Sequence, residues 1–322
     1  MDFPKVESIT SKIPTVEEIK SRIPSADEIK SKFPNVKYIR SKLSSAKLIG
    51  SVGKNYLQFK LRRTALKRFK SKEFDVVVSD MDGTLYDSDV SLEGLKLMYP
   101  KVTEGITEGE EIYDSLLSKI ANGEYSIEQA IVEGNKFLIS KKMNKKDFEK
   151  IFENLKISIR KSMILAFKKM KKNGKIIVLA TLSSKEFGEI LNSYFEKEFG
   201  FCFDFVVGTE LEYDSKGFIL GVKSLVGTKD GEYEGIPVKN KLSAIRDALA
   251  LKGIAVDMAR TILITDSYGD IDIAKMFVTI LLVPEDSSTA QKVSQKLKLA
   301  DYIVEVDSTL QKKLEEILLE DE

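Results

Sequence analysis

Short apolar runs closed by polar or turn-forming residues alternate along most of this chain with stretches where apolar residues recur every three or four positions. Residues 74–79, 175–180, 203–207, 260–265, 279–283 and 302–306 are runs of the first kind, rich in Val, Ile and Leu, and predict buried strands of an α/β sheet. Apolar segments at 218–222 and 236–238 predict a β-hairpin excursion after the third run. Helical spacing occupies 109–122, 126–140 and 144–157, with Ser126 ahead of Glu128 and Gln129 as an N-cap signal. Further helices open at Lys185 and at 239–242, the latter with Ala244, Ile245, Ala248 and Leu249 facing inward. About ninety residues separate the first two strands, far more than one crossover helix needs, so a helical insertion is expected there.

Residues 3–51 repeat every ten positions: FPKVESITSK, IPTVEEIKSR, IPSADEIKSK, FPNVKYIRSK, LSSAKLIGS. Apolar residues in this arm recur on average about every 3.3 positions, between the 3₁₀ and α periods. Pro4, Pro14, Pro24 and Pro34 each remove a helix hydrogen bond, which predicts two-turn helices joined by bends. Residues 54–72 follow as an amphipathic basic helix, with Tyr56, Leu57, Leu61, Ala65 and Phe69 on or near one face.

Charge sharpens this division. Residues 1–72 carry 18 Lys/Arg against 6 Asp/Glu, so a +12 arm precedes a body of −11 in a chain of net charge +1. Such an arm suits an anionic membrane surface, a protein partner or self-association; nucleic acid is the weakest option, since no binding motif accompanies the charge. The single cysteine, Cys202, excludes an internal disulfide and suits a reducing compartment. Histidine is absent, which excludes His-based triads and His-ligated zinc. No apolar run reaches bilayer-spanning length and the N-terminus lacks signal-peptide regions, so a cytoplasmic protein, peripheral at the membrane if its arm binds there, is expected.

The strand at 74–79 ends in Ser79-Asp80-Met81-Asp82-Gly83-Thr84-Leu85. Open α/β sheets bind ligands at the carboxyl ends of their strands. One carboxylate there can attack an electrophile while a second shuttles a proton. Strand 175–180 ends at Thr181-Leu182-Ser183-Ser184, where a small hydroxyl and backbone N–H groups can donate to a phosphoryl oxygen. Strand 260–265 ends in Asp266 and Asp270, four positions apart.

DMDGTL matches the first motif (DxDx[TV]L) of the haloacid dehalogenase superfamily at every specified position, and the second Asp resembles its phosphatases and phosphomutases. Thr181 resembles the second motif. Asp266 and Asp270 resemble the fourth, with Thr265 where the family usually has Gly. Lys239 and Lys241 are both eligible as the third-motif lysine; Lys241 is preferred because apolar residues fall three, four, seven and eight positions after it. The resemblance covers about 73–307 and is nearest to the phosphoserine-phosphatase-like branch.

It implies a Rossmann-like doubly wound parallel sheet with a helical cap after the first strand. The expected organisation is an arm at 1–72, a catalytic core of 73–88 and 160–322, and a cap at 89–159. It also implies that Asp80, the Asp82 carbonyl and Asp266 ligate Mg²⁺ with Asp270 in support, a hard ion being what an all-oxygen donor set selects. Asp80 is then the nucleophile and Asp82 the proton shuttle, while Thr181, Leu182 and Lys241 or Lys239 contact the substrate. The expected activity is hydrolysis of a small phosphate monoester through an aspartyl-phosphate. The alternatives are a phosphotransferase or mutase of the same fold, or an interaction module built on the arm with a lipid head-group phosphatase body.

Overall fold

A computed structural model describes residues 74–103, 105–267, 270–274, 276–284 and 300–319. The decapeptide repeats and basic helix expected at 1–72 lie outside the described residues. Strand β1 (Val76–Ser79) leads into helix α1 (Val90–Met98), a small hairpin of β2 (Val102–Thr103) and β3 (Ile106–Thr107), and helices α2 (Glu108–Asn122), α3 (Ile127–Ser140), α4 (Lys145–Leu155) and α5 (Lys161–Lys172). Next come β4 (Ile176–Ser184), α6 (Lys185–Phe199), β5 (Phe205–Tyr213), β6 (Ile219–Gly227), β7 (Gly231–Tyr233) and β8 (Ile236–Asn240). The rest comprises α7 (Lys241–Ala250), β9 (Thr261–Thr265), the short α8 (Ile271–Ala274), β10 (Val278–Pro284), β11 (Tyr302–Val306) and α9 (Leu310–Leu318).

The main sheet runs β11-β10-β9-β1-β4-β5-β6-β8-β7. From β11 to β5 every pairing is parallel. The β-branched runs build it because alternate residues of one strand serve opposite faces. Val77, Ile177, Ile262 and Ile264 pack beneath Met163, Phe167, Leu310 and Leu314 of α5 and α9. Val76, Val78, Val178 and Leu263 pack against Ile245 and Leu249 of α7 and against Phe277. The doubly wound parallel core is therefore as expected.

Its far edge is antiparallel at β5–β6 and β7–β8. There the strands outrun the apolar segments that announce them. Thr209-Glu210-Leu211-Glu212 alternates buried and exposed side chains, the period of a strand with one wet face, and Glu210 pairs with Lys185 and Lys223. Cys202 is half-buried and free.

Between β1 and β4 the predicted helices form as their caps direct. Ser126 and Gln129 make a capping box at α3, and Asn144 and Asp147 make another at α4. Helix α1 was not legible as apolar spacing. It starts at Asp89, whose carboxylate accepts the Leu92 N–H, and stops just before Pro100. Among the described residues, no helix is long and apolar enough to cross a membrane.

Candidate active site

The Asp80 N–H donates to the Ile264 carbonyl at 3.0 Å, and Ser79 stands in register with Ile264. Strands β1 and β9 therefore end side by side. The residues that follow them, Asp80, Asp82, Asp266 and Asp270, line one cavity of about 680 Å³ that continues between the helices of the insertion.

Lys241, the first residue of α7, enters the same cavity. Its Nζ lies 3.0 Å from Asp80 Oδ1 and 2.7 Å from Asp270 Oδ1, and all three side chains are buried. Asn240 caps α7 by accepting the Ser243 N–H, which fixes where the helix begins and hence where Lys241 points. Lys239 does not reach the site. It is an exposed residue of β8 ion-paired with Asp247, so the choice between the two lysines falls to Lys241 on geometry.

Asp82 Oδ1 accepts the Val90 N–H at 2.8 Å, which seats the start of α1 on the carboxylate. Its Oδ2 accepts from the Ser183 hydroxyl at 2.9 Å and the Thr181 hydroxyl at 3.3 Å. Thr181 is fully buried, and it is Leu182 and Ser183 that line the cavity. Ser183 was not singled out from sequence, although a strand's period of two places it on the face of Thr181. Thr265, standing where the family has Gly, donates its hydroxyl to Asp270 Oδ2 at 2.9 Å and accepts the Ser267 N–H at 3.0 Å. The substitution thus supplies a hydrogen bond that holds Asp270.

Two further features shape the loop after β1. Arg160 Nη1 donates to the carbonyls of Gly83, Thr84 and Tyr86 at 2.6, 2.8 and 2.6 Å, closing the turn from 77 to 74 residues away. Nothing in the sequence marks it, because its partners are backbone atoms. Gly83 has φ of +69°, and a Cβ there would stand 2.2 Å from Asp266 Oδ2. Gly83→Ala is expected to lose roughly 2–4 kcal/mol, from left-handed strain and overpacking together, and to displace Asp266. Urea denaturation checks the first, and turnover the second.

Burial drives the electrostatics. Burial, with repulsion from Asp270, Asp266 and Asp82, holds the Asp80 carboxyl well above its ordinary value despite the opposing Lys241 ammonium. Asp82 is pushed up to about 7 by burial and by Asp89, against the donors Val90 and Ser183. Burial disfavours charge on Lys241, yet Asp270 and Asp80 more than offset it and hold the ammonium above the ordinary lysine range.

A family model, haloacid dehalogenase-like hydrolase, matches residues 77–275, a span that holds all these groups. The chain belongs to the haloacid dehalogenase-like hydrolases. Among solved structures, this hydrolase resembles a HAD family hydrolase from Salmonella enterica serovar Typhi, with TM-score 0.55 and 12% identity over 77% of this chain and 72% of that one. It also resembles a phosphoserine phosphohydrolase-like protein from Francisella tularensis, with TM-score 0.50 and 18% identity over 71% and 94% of the two chains. A phospho-aspartyl intermediate analogue of phosphoserine phosphatase is similar at TM-score 0.50 and 14% identity, over 77% and 100%. At these identities the likeness is one of fold. No curated protein matches the sequence.

Proposed function

We propose that this haloacid dehalogenase-like hydrolase is a Mg²⁺-dependent phosphatase acting on a phosphate monoester, with Asp80 as nucleophile. The observation that carries the reading is the buried contact of Lys241 with both Asp80 and Asp270, beside Asp82 and Asp266 in one cavity.

The donor set fits a hard divalent ion. Asp80 and Asp266 would supply two carboxylates and Asp82 its carbonyl, and Gly83 leaves open the space against Asp266 that a Cβ would fill. Such a set needs no third acidic side chain, and among the described residues no trio of acids is gathered at ligand spacing. When bound, Mg²⁺ supplies positive charge to the phosphoryl oxygens and relieves repulsion among the carboxylates.

An Asp80 carboxylate oxygen attacks phosphorus in line, the bond to the ester oxygen breaks, and Asp82 gives its proton to the departing alkoxide. Water then attacks the aspartyl-phosphate while Asp82 takes its proton, freeing phosphate and Asp80. Lys241 offsets charge on the phosphoryl oxygens, and Ser183 and Thr181 orient Asp82. Residues 89–159 would act as the lid that excludes water. Phosphate release from a panel of phosphorylated metabolites is expected to require Mg²⁺ and to cease in EDTA; release undiminished by the chelator would sink the metal-dependent reading.

A second expectation follows from Asp82. Its folded-state value of about 7 lies above that of the unfolded chain, so the native state binds the extra proton between the two. The contribution of Asp82 to stability in EDTA should therefore be greatest at acid pH and fall as pH rises from about 4 to 7. Asp82 keeps some solvent contact, which makes about 4 kcal/mol an upper limit to the change. Asp82→Asn should flatten that part of a urea-denaturation pH series.

A further inference from the structure

We propose that the ester taken by this site is the phosphate of a long aliphatic alcohol, its phosphoryl group at the carboxylates and its hydrocarbon chain between α1, α2 and α3. The assignment rests on the phosphatase reading above and narrows it to a substrate class.

The cavity begins at Asp80 and Asp82 and is walled further along by Leu92, Leu95, Leu116, Leu117, Ile131 and Ile151. Counting roughly 30 Å³ per heavy atom, the share of one water in the liquid, a phosphate group takes about 150 Å³. Most of the 680 Å³ remains for the alcohol. A small polar alcohol with a second anionic group would need a cation there. Only two lysines line the cavity among the described residues: Lys241 is held by Asp80 and Asp270, and Lys96 pairs with Glu93 at 3.0 Å. The other charged residues along the helices, Glu93, Glu110 and Asp114, repel an anion.

The lining also has a direction. Val90 sits on Asp82, and from there the nine residues of α1 run about 13 Å away to the β2–β3 hairpin. At that far end Leu97, Val102 and Ile106 are 39%, 61% and 42% exposed. Exposed apolar side chains outside the cavity thus stand at the end of α1 away from the carboxylates, where a hydrocarbon chain longer than the cavity would find apolar contact.

The test measures phosphate release by the full-length protein with Mg²⁺ from monomeric n-alkyl phosphates of two to ten carbons, beside phosphoserine and glycerol phosphate. KM is expected to fall about three- to fourfold per methylene until the cavity is filled, with kcat little changed. Alkylphosphonates, which cannot be hydrolysed, should show the same slope in calorimetric Kd, and Leu116→Gln or Ile131→Gln should flatten it in protein that still unfolds cooperatively. Turnover of phosphatidate in phosphatidylcholine vesicles would place the source of the chain in a bilayer, and turnover confined to monomeric esters would place it in solution; both support the assignment. A flat chain-length series, or phosphoserine outperforming octyl phosphate in kcat/KM, overturns it. Phosphonates binding with the expected slope while no ester is hydrolysed would instead overturn the phosphatase reading and leave the cavity assignment standing.

Discussion

Asp80→Asn is expected to abolish phosphate release, by at least ~10³-fold in kcat, while the protein remains folded. An amide cannot form the acyl-phosphate, no His or Cys lines the cavity, and Lys241 is committed as an ammonium. The fold should tolerate the change. The amide oxygen can still accept the Met81 N–H, now 2.9 Å from Asp80 Oδ1, and Lys241 keeps Asp270 at 2.7 Å. Urea denaturation should show near-native stability in the same preparation that releases no phosphate. Full activity in this variant would remove Asp80 from the chemistry. Asp82→Asn separates the two roles: it should still accept label from an ester with a good leaving group but hydrolyse the phosphoenzyme slowly.

The parts of this site that sequence made legible are those whose position follows from a repeating pattern. Asp80 and Asp266 are announced by the apolar runs they terminate, and the parallel register of β1 with β9 does the rest. Lys241 is distinguished from Lys239 by the 3.6-residue spacing behind it, and in the structure Lys239, on the strand side of the Asn240 cap, pairs outward with Asp247. What pattern could not give was the contacts that side chains distant in sequence make to backbone or across the insertion. Arg160 binds three carbonyls of the turn after β1, and the Tyr113 hydroxyl donates to Asp89 from α2 to the cap of α1. Neither leaves a periodic trace, since any exposed Arg or half-buried Tyr reads the same. Helix α1 is hidden for a related reason: it is short, and what fixes it is the Asp89 cap and the Asp82 carboxylate on Val90.

Lys241→Met should damage stability and turnover together, which sets it apart from Asp80→Asn. The substitution fits the volume but leaves Asp80 and Asp270 buried with no opposite charge, and losing one partner of a buried pair costs about 3–5 kcal/mol. Part of that loss should be recoverable by acid. With the ammonium gone, burial and repulsion from Asp270 raise the Asp80 carboxyl further, so the folded variant takes up a proton that the unfolded chain does not. Its deficit against the native protein should therefore be greatest near pH 7 and shrink toward pH 5, a trend that a merely misfitting side chain would not produce. Adding Asp270→Asn should return some of the stability, because the two residues share one interaction and their effects cannot add. Turnover will not return with it, since the phosphoryl oxygens still lack their fixed cation. Lys239→Met, two residues away and paired only at the surface, is the control, and should leave both measurements where they were. A Lys241→Met protein as stable and as active as the native chain would mean that the buried triad organises nothing.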